Sequence, residues 1–139
     1  MRSTIVLFVL TFVVFGLLLG YAASYDIPST TSGLLELKTD KPEYDKGETV
    51  TFTARNVASA PLVFPDSALG ISITNTDTGK GYGIIALQVL TSLESGETVQ
   101  IVWQQEGVGE VADSGNYVAR VVTAADSSSA TAEVSFRIR

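Results

Sequence analysis

From Leu34 to Arg139 apolar and polar residues alternate in short runs, the period of a strand with one buried face and one wet face. Leu35 and Leu37 alternate with Glu36 and Lys38, and Val50, Phe52 and Ala54 with Thr49, Thr51, Thr53 and Arg55. Ile71 and Ile73 alternate with Ser72 and Thr74, and Val99, Ile101 and Trp103 with Thr98 and Gln100. The last run sets Val134, Phe136 and Ile138 against Glu133, Ser135 and Arg137. Leu62–Phe64 and the apolar run Ile84–Leu90 predict two more strands, the second buried on both faces. Turn residues separate these runs at Lys46-Gly47, Asp77 with Gly79, Ser95-Gly96 and Asp113 to Gly115. Seven to eight strands with one apolar face each are buried most simply in two packed antiparallel sheets.

The amino terminus follows another pattern. Ile5 to Ala23 is an uncharged apolar run of 19 residues behind Met1, Arg2, Ser3 and Thr4. A helix needs roughly 20 residues to cross the hydrocarbon, so the run predicts one hydrophobic helix that serves as a transmembrane anchor. A basic start and the small residues Ala22, Ala23 and Ser24 also fit a cleaved signal peptide. Both readings export the remainder, anchored in one case and secreted in the other, because Arg2 favours a cytoplasmic amino terminus. Gly16, Gly20 and Ser24 recur every four residues and would line one helix face, a seam for a homo-oligomer. Glycine is also common in membrane helices for no such reason. The organisation read from the sequence is therefore residues 1–24 as anchor or signal, 25–33 as a polar linker and 34–139 as one domain.

One local signature narrows the class. Asp113, Gly115 and Tyr117 stand at single-residue intervals before a strand, the spacing of the tyrosine corner of Greek-key sandwiches, whose phenol bonds back to upstream backbone. The predicted fold is accordingly all-β, an immunoglobulin-like antiparallel β-sandwich. Ala119 stands where an antibody domain carries a half-cystine, and with no cysteine in the chain packing alone must hold the domain. Trp103 falls on an inward phase and reads as core rather than as a binding residue.

The order of features from Asn56 to Tyr117 resembles the BsuPI-type proteinase-inhibitor domain, a small β-sandwich family. Asn56 closes a strand; Leu62, Val63 and Phe64 make a short one with Ser67 after it; Ile71 and Ile73 lead to the turn at Asp77 and Gly79. Ala86 and Leu87 follow, then Leu93, Gly96, Glu97 and Thr98, then Trp103, Gly115 and Tyr117. Members usually carry a tryptophan-containing segment after the central hairpin, where this chain has Gly79, Lys80, Gly81 and Tyr82. The named inhibitor is associated with intracellular proteases, whereas this domain reads as exported. The resemblance implies the fold more than the activity and assigns no inhibitory residue.

Candidate chemistry is sparse. There is no histidine or cysteine, and the only methionine is Met1, which removes the usual general base, the thiol nucleophile and the favoured ligands of zinc, copper and haem. No serine sits in a G-x-S-x-G context, and paired acids such as Glu94 with Glu97 or Glu106 with Glu110 read as solvated charge. Asp40, Glu43, Asp45 and Glu48 gather hard oxygens around Pro42 and Gly47 without the spacing of an EF-hand, and read as a turn. The sequence points to no cofactor, no metal and no enzyme. A net charge of −6 disfavours nucleic acid and anionic lipid as partners.

What remains is a non-catalytic, extracytoplasmic protein-binding module, membrane-tethered and inhibitor-like, whose partner is another protein of the envelope or extracellular space. The motif-poor stretch Gln104, Gln105, Glu106, Gly107, Val108 and Gly109, running on to Val111, is the candidate binding loop. The alternative is a structural subunit of a cell-envelope assembly, since an apolar helix joined to a β-domain is also the plan of pilin-like and archaellum-like filaments.

Overall fold

The computed structural model describes residues 29–31, 33–124 and 131–139. The Ile5–Ala23 segment, with Gly16, Gly20 and Ser24, lies outside the described residues. Every regular element among those described is a strand. In chain order they are β1 (Ser29–Thr31), β2 (Leu35–Thr39), β3 (Glu43–Tyr44), β4 (Val50–Asn56), β5 (Leu62–Phe64), β6 (Ser72–Asn75) and β7 (Gly81–Gly83). There follow β8 (Thr91–Leu93), β9 (Thr98–Trp103), β10 (Glu106–Gly107), β11 (Glu110–Val111), β12 (Gly115–Val122) and β13 (Thr131–Ile138).

Two sheets carry the fold. One runs β1-β2-β4-β9 and is antiparallel throughout; the other runs β3-β13-β12-β6-β7 with a single parallel join between β3 and β13. The alternation read from the sequence points into the space between them: Val50, Phe52 and Ala54 on β4 and Tyr117, Ala119 and Val121 on β12 are buried. Phe52 meets Phe136 across that space with ring centroids 5.8 Å apart, and Trp103 meets Tyr117 at 5.9 Å. Each large apolar side chain removed from water there is worth about 1.5–3 kcal/mol, and with no cysteine this core is what opposes chain entropy.

Two segments depart from the pattern reading. Within the stretch 25–33, read as linker, Ser29, Thr30 and Thr31 pair with Lys38, Leu37 and Glu36, so the sheet begins before Leu34. Hydrophobic periodicity cannot announce an edge strand that joins by main-chain pairing alone. The second departure is Ile84–Leu90, which forms no strand and is not buried on both faces. β7 already ends its sheet, and only Ile84 and Ala86 of this run pack onto the core.

The registers define two ends. Ser29, Thr39, Val50, Trp103 and Ile138 lie at one, where the loops 40–49, 76–80 and 104–114 gather; this is the entry end. The loops 57–71 and 84–97 gather at the opposite, far end, where Ser67 N–H donates to the Leu87 carbonyl at 3.0 Å.

Candidate functional site

The stretch Gln104–Val111 is a hairpin at the entry end. Glu106 pairs with Val111 and Gly107 with Glu110, leaving Val108 and Gly109 as the two-residue turn. Gly109 takes φ +79° while Val108 does not, the signature of a type II turn. Gln105, which a sequence reading leaves in solvent, is wholly buried at φ +58°. Its Oε1 accepts from Gly47 N–H at 2.7 Å, its Nε2 donates to the Asp45 carbonyl at 2.8 Å, and its own carbonyl accepts from Ala112 N–H at 2.7 Å. Gln104 Oε1 accepts from the Thr49 hydroxyl at 2.9 Å. Gln104 and Gln105 therefore fasten this loop to the 40–49 loop, and Val108, 97% exposed, stands clear at the tip with Val111 half exposed behind it.

Behind the hairpin lies an aromatic cluster. Trp103 Nε1–H donates to the Glu106 carbonyl at 2.9 Å, Tyr82 and Tyr117 lie within 6 Å of the indole by ring centroid, and Gly107 sits where a Cβ would come 3.2 Å from the Tyr82 ring. Tyr117 donates its hydroxyl to the Asp113 carbonyl at 2.5 Å, tying β12 to the crossing loop. Burial chiefly, with Tyr82 and Asp113 nearby, pushes the Tyr117 phenol up to about 12. Gly115, at φ +150°, leaves room for Asn75 and Asp77, and Asp77 accepts from Asn116 N–H at 2.8 Å. That bond and the Asn116 amide hold the Asp77 carboxyl below its usual range. Asp113, Gly115, Tyr117 and Trp103 thus meet in one packed structure that serves the fold.

The acidic turn is equally engaged. Asp40 accepts from the Tyr44 hydroxyl at 2.5 Å and from Thr51 N–H at 3.1 Å; Glu48 pairs with Lys41; Glu43 and Asp45 pair with Arg139 at 3.0 and 2.8 Å. Burial first and the Asp40 bond second drive the Tyr44 phenol upward.

The far end is built otherwise. Asn56, buried at the end of β4, donates through Nδ2 to the carbonyls of Ala60 at 2.9 Å and Leu93 at 2.8 Å, and accepts from Ala58 N–H at 2.8 Å. Asp66 accepts from Ala68 and Gly70 N–H, and Gly70 is required there, since a Cβ would meet Pro65 at 2.7 Å. On this frame lies an apolar strip: Ile85 is 92% exposed, Leu87 71%, Val89 53% and Leu90 74%. The sequence signal for this strip is its apolar run, interrupted only at Gln88, and the same signal describes a doubly buried strand.

No protein-family model and no curated protein matches the sequence. Among solved structures the chain is similar to the alkylpurine DNA glycosylase AlkC of Pseudomonas fluorescens, bound to DNA containing an abasic site analog. The identity is 20% and the TM-score 0.41, over 73% of this chain and 28% of that one. It is also similar to a β-glucosidase from Listeria innocua in complex with laminaribiose, at 17% identity and a TM-score of 0.33, over 76% of this chain and 16% of that one. The chain thus spans less than a third of the length of either structure it resembles.

Proposed function

We propose that this chain is a non-catalytic recognition module: an immunoglobulin-like domain, extracytoplasmic and tethered through residues 5–23, that binds another protein with its far end. Support for the immunoglobulin-like reading comes from β2, β4 and β9 in one sheet, β6, β12 and β13 in the other, and the Tyr117 bond at the corner. The observation that carries the binding reading is the exposed strip of Ile85, Leu87, Val89 and Leu90 at one end of a rigid frame. Apolar side chains held in water by fixed backbone lower the free energy of any complex that covers them, at roughly 25 cal/mol per Å². The hairpin at the entry end is the weaker surface, because Gln105 is engaged internally and two valines, Val108 and Val111, stand out against four apolar residues at the far end. In the inhibitor-like form of the reading, motivated by the BsuPI-type resemblance, the partner is a protease met outside the cell.

The experiment places a photo-cross-linking residue at Leu87 in one full-length protein and at Val108 in another, each in its native membrane. The expected outcome is a defined adduct with another protein from position 87 alone. Adducts from position 108 with none from position 87 would overturn the far-end assignment. For the inhibitor-like form, Leu87→Ser should abolish inhibition of an added protease.

A further inference from the structure

We propose that the far end takes an extended segment of a partner protein whose apolar side chains are flanked by lysine or arginine; this rests on the far-end reading above. Charge is the first argument. The loops 57–71 and 84–97 carry Asp66, Glu94 and Glu97 and not one lysine or arginine. None of the three carboxylates is in an ion pair among the described residues, and the basic side chain nearest by register, Arg55, lies on the outer face of β4. An apolar strip on segments whose only charges are carboxylates favours cationic flanks and penalises both anionic lipid and a second copy of the same acidic end.

Backbone geometry is the second argument. In an extended chain successive peptide groups point to opposite sides. Leu87 turns both of its groups toward Ser67, donating to Oγ at 2.9 Å and accepting from N–H at 3.0 Å, and its carbonyl also accepts from Val89 N–H at 2.9 Å, which turns the chain at Gln88. The peptide groups of Ala86 and Gln88 therefore face the other way, and neither has a hydrogen-bond partner among the described residues. These groups make a short open backbone edge, in a segment that is not itself a strand, with Ile85 and Leu87 exposed and Ala86 against the core, where an extended partner segment can pair. Main-chain pairing then supplies the binding, the apolar strip its core and the carboxylates its preference.

The test uses the full chain in nanodiscs of neutral phosphatidylcholine and three labelled synthetic peptides, read by fluorescence anisotropy. One alternates leucine with lysine, one replaces every lysine by glutamate, and one replaces every leucine by serine. The leucine–lysine peptide should bind at least about tenfold tighter than either of the others, corresponding to about 1.4 kcal/mol. Leu87→Ser with Leu90→Ser should remove that binding, and Glu94→Gln should narrow the preference between lysine and glutamate peptides. If lysine and glutamate peptides bind equally and both respond to the serine variant, the charge inference fails and the far-end reading stands. If no peptide responds to the serine variant, both fail. Self-association abolished by the same variant would make a second copy the occupant and overturn the inference.

Discussion

The two ends of the sandwich use their polar groups in opposite ways. At the entry end Lys41, Lys46, Lys80 and Arg139 are matched to Glu48, Asp113, Glu110, Glu43 and Asp45, and beneath them Gln105, Asn75 and Tyr117 bond to backbone. At the far end Asn56 and Asp66 bond to backbone, while the apolar strip meets water and, among the described residues, no ion pair engages the acids. Exposed ion pairs are each worth only about 0–1 kcal/mol, so the buried amide and phenol bonds, rather than the surface pairs, close the entry end. The contrast separates a surface that completes the fold from one that is left over for another molecule.

The hardest blow to that contrast is Gln105→Leu. It deletes both side-chain bonds, leaving Gly47 N–H unpaired and the Asp45 carbonyl with only the Glu48 N–H, beside a strained φ, for an expected loss of about 2 kcal/mol or more in urea unfolding followed by circular dichroism. A midpoint that hardly moves would mean that the entry end is closed by something else. Gly115→Ala should cost about 2 kcal/mol, since its Cβ would come 2.8 Å from Asp77 Oδ2 and 2.9 Å from Asn75 Nδ2 at an unfavourable φ. Tyr117→Phe should cost about 1 kcal/mol through the lost bond to Asp113.

Tyr117, together with Tyr44, also lowers stability at alkaline pH. Its folded pKa of about 12 lies above the ordinary 10.0, so its contribution is complete below pH 10 and is lost as pH rises through 12. Alkaline denaturation of Tyr117→Phe should therefore fall less steeply in that window than that of the parent. The smallest effect belongs to the far end. Leu87→Ser with Leu90→Ser should shift stability by no more than about 0.5 kcal/mol, because neither side chain leaves a packed site. A loss beyond about 2 kcal/mol would put the strip in the core and dissolve the contrast.

Legibility in the sequence followed the same division. Residues whose alternation is enforced by the core, such as Phe52, Ile73, Val134 and Phe136, can be read directly, because period two has one physical cause. Gln105 cannot, since a buried glutamine at positive φ depends on two backbone groups some sixty positions away. The strip at Ile85–Leu90 misleads for a related reason: an apolar run does not say whether its cover comes from its own chain. β1 is silent because main-chain pairing at an edge leaves no hydrophobic period.

Trp103 is the one indole in the chain, and it is seated between Tyr82, Tyr117 and Phe136 with its N–H on the hairpin. Its fluorescence is therefore an optical gauge of one end of the molecule alone. Loosening of the hairpin would red-shift the emission, whereas a ligand settling on Leu87 would leave its colour unchanged, so the two events can be told apart in a cuvette without any label.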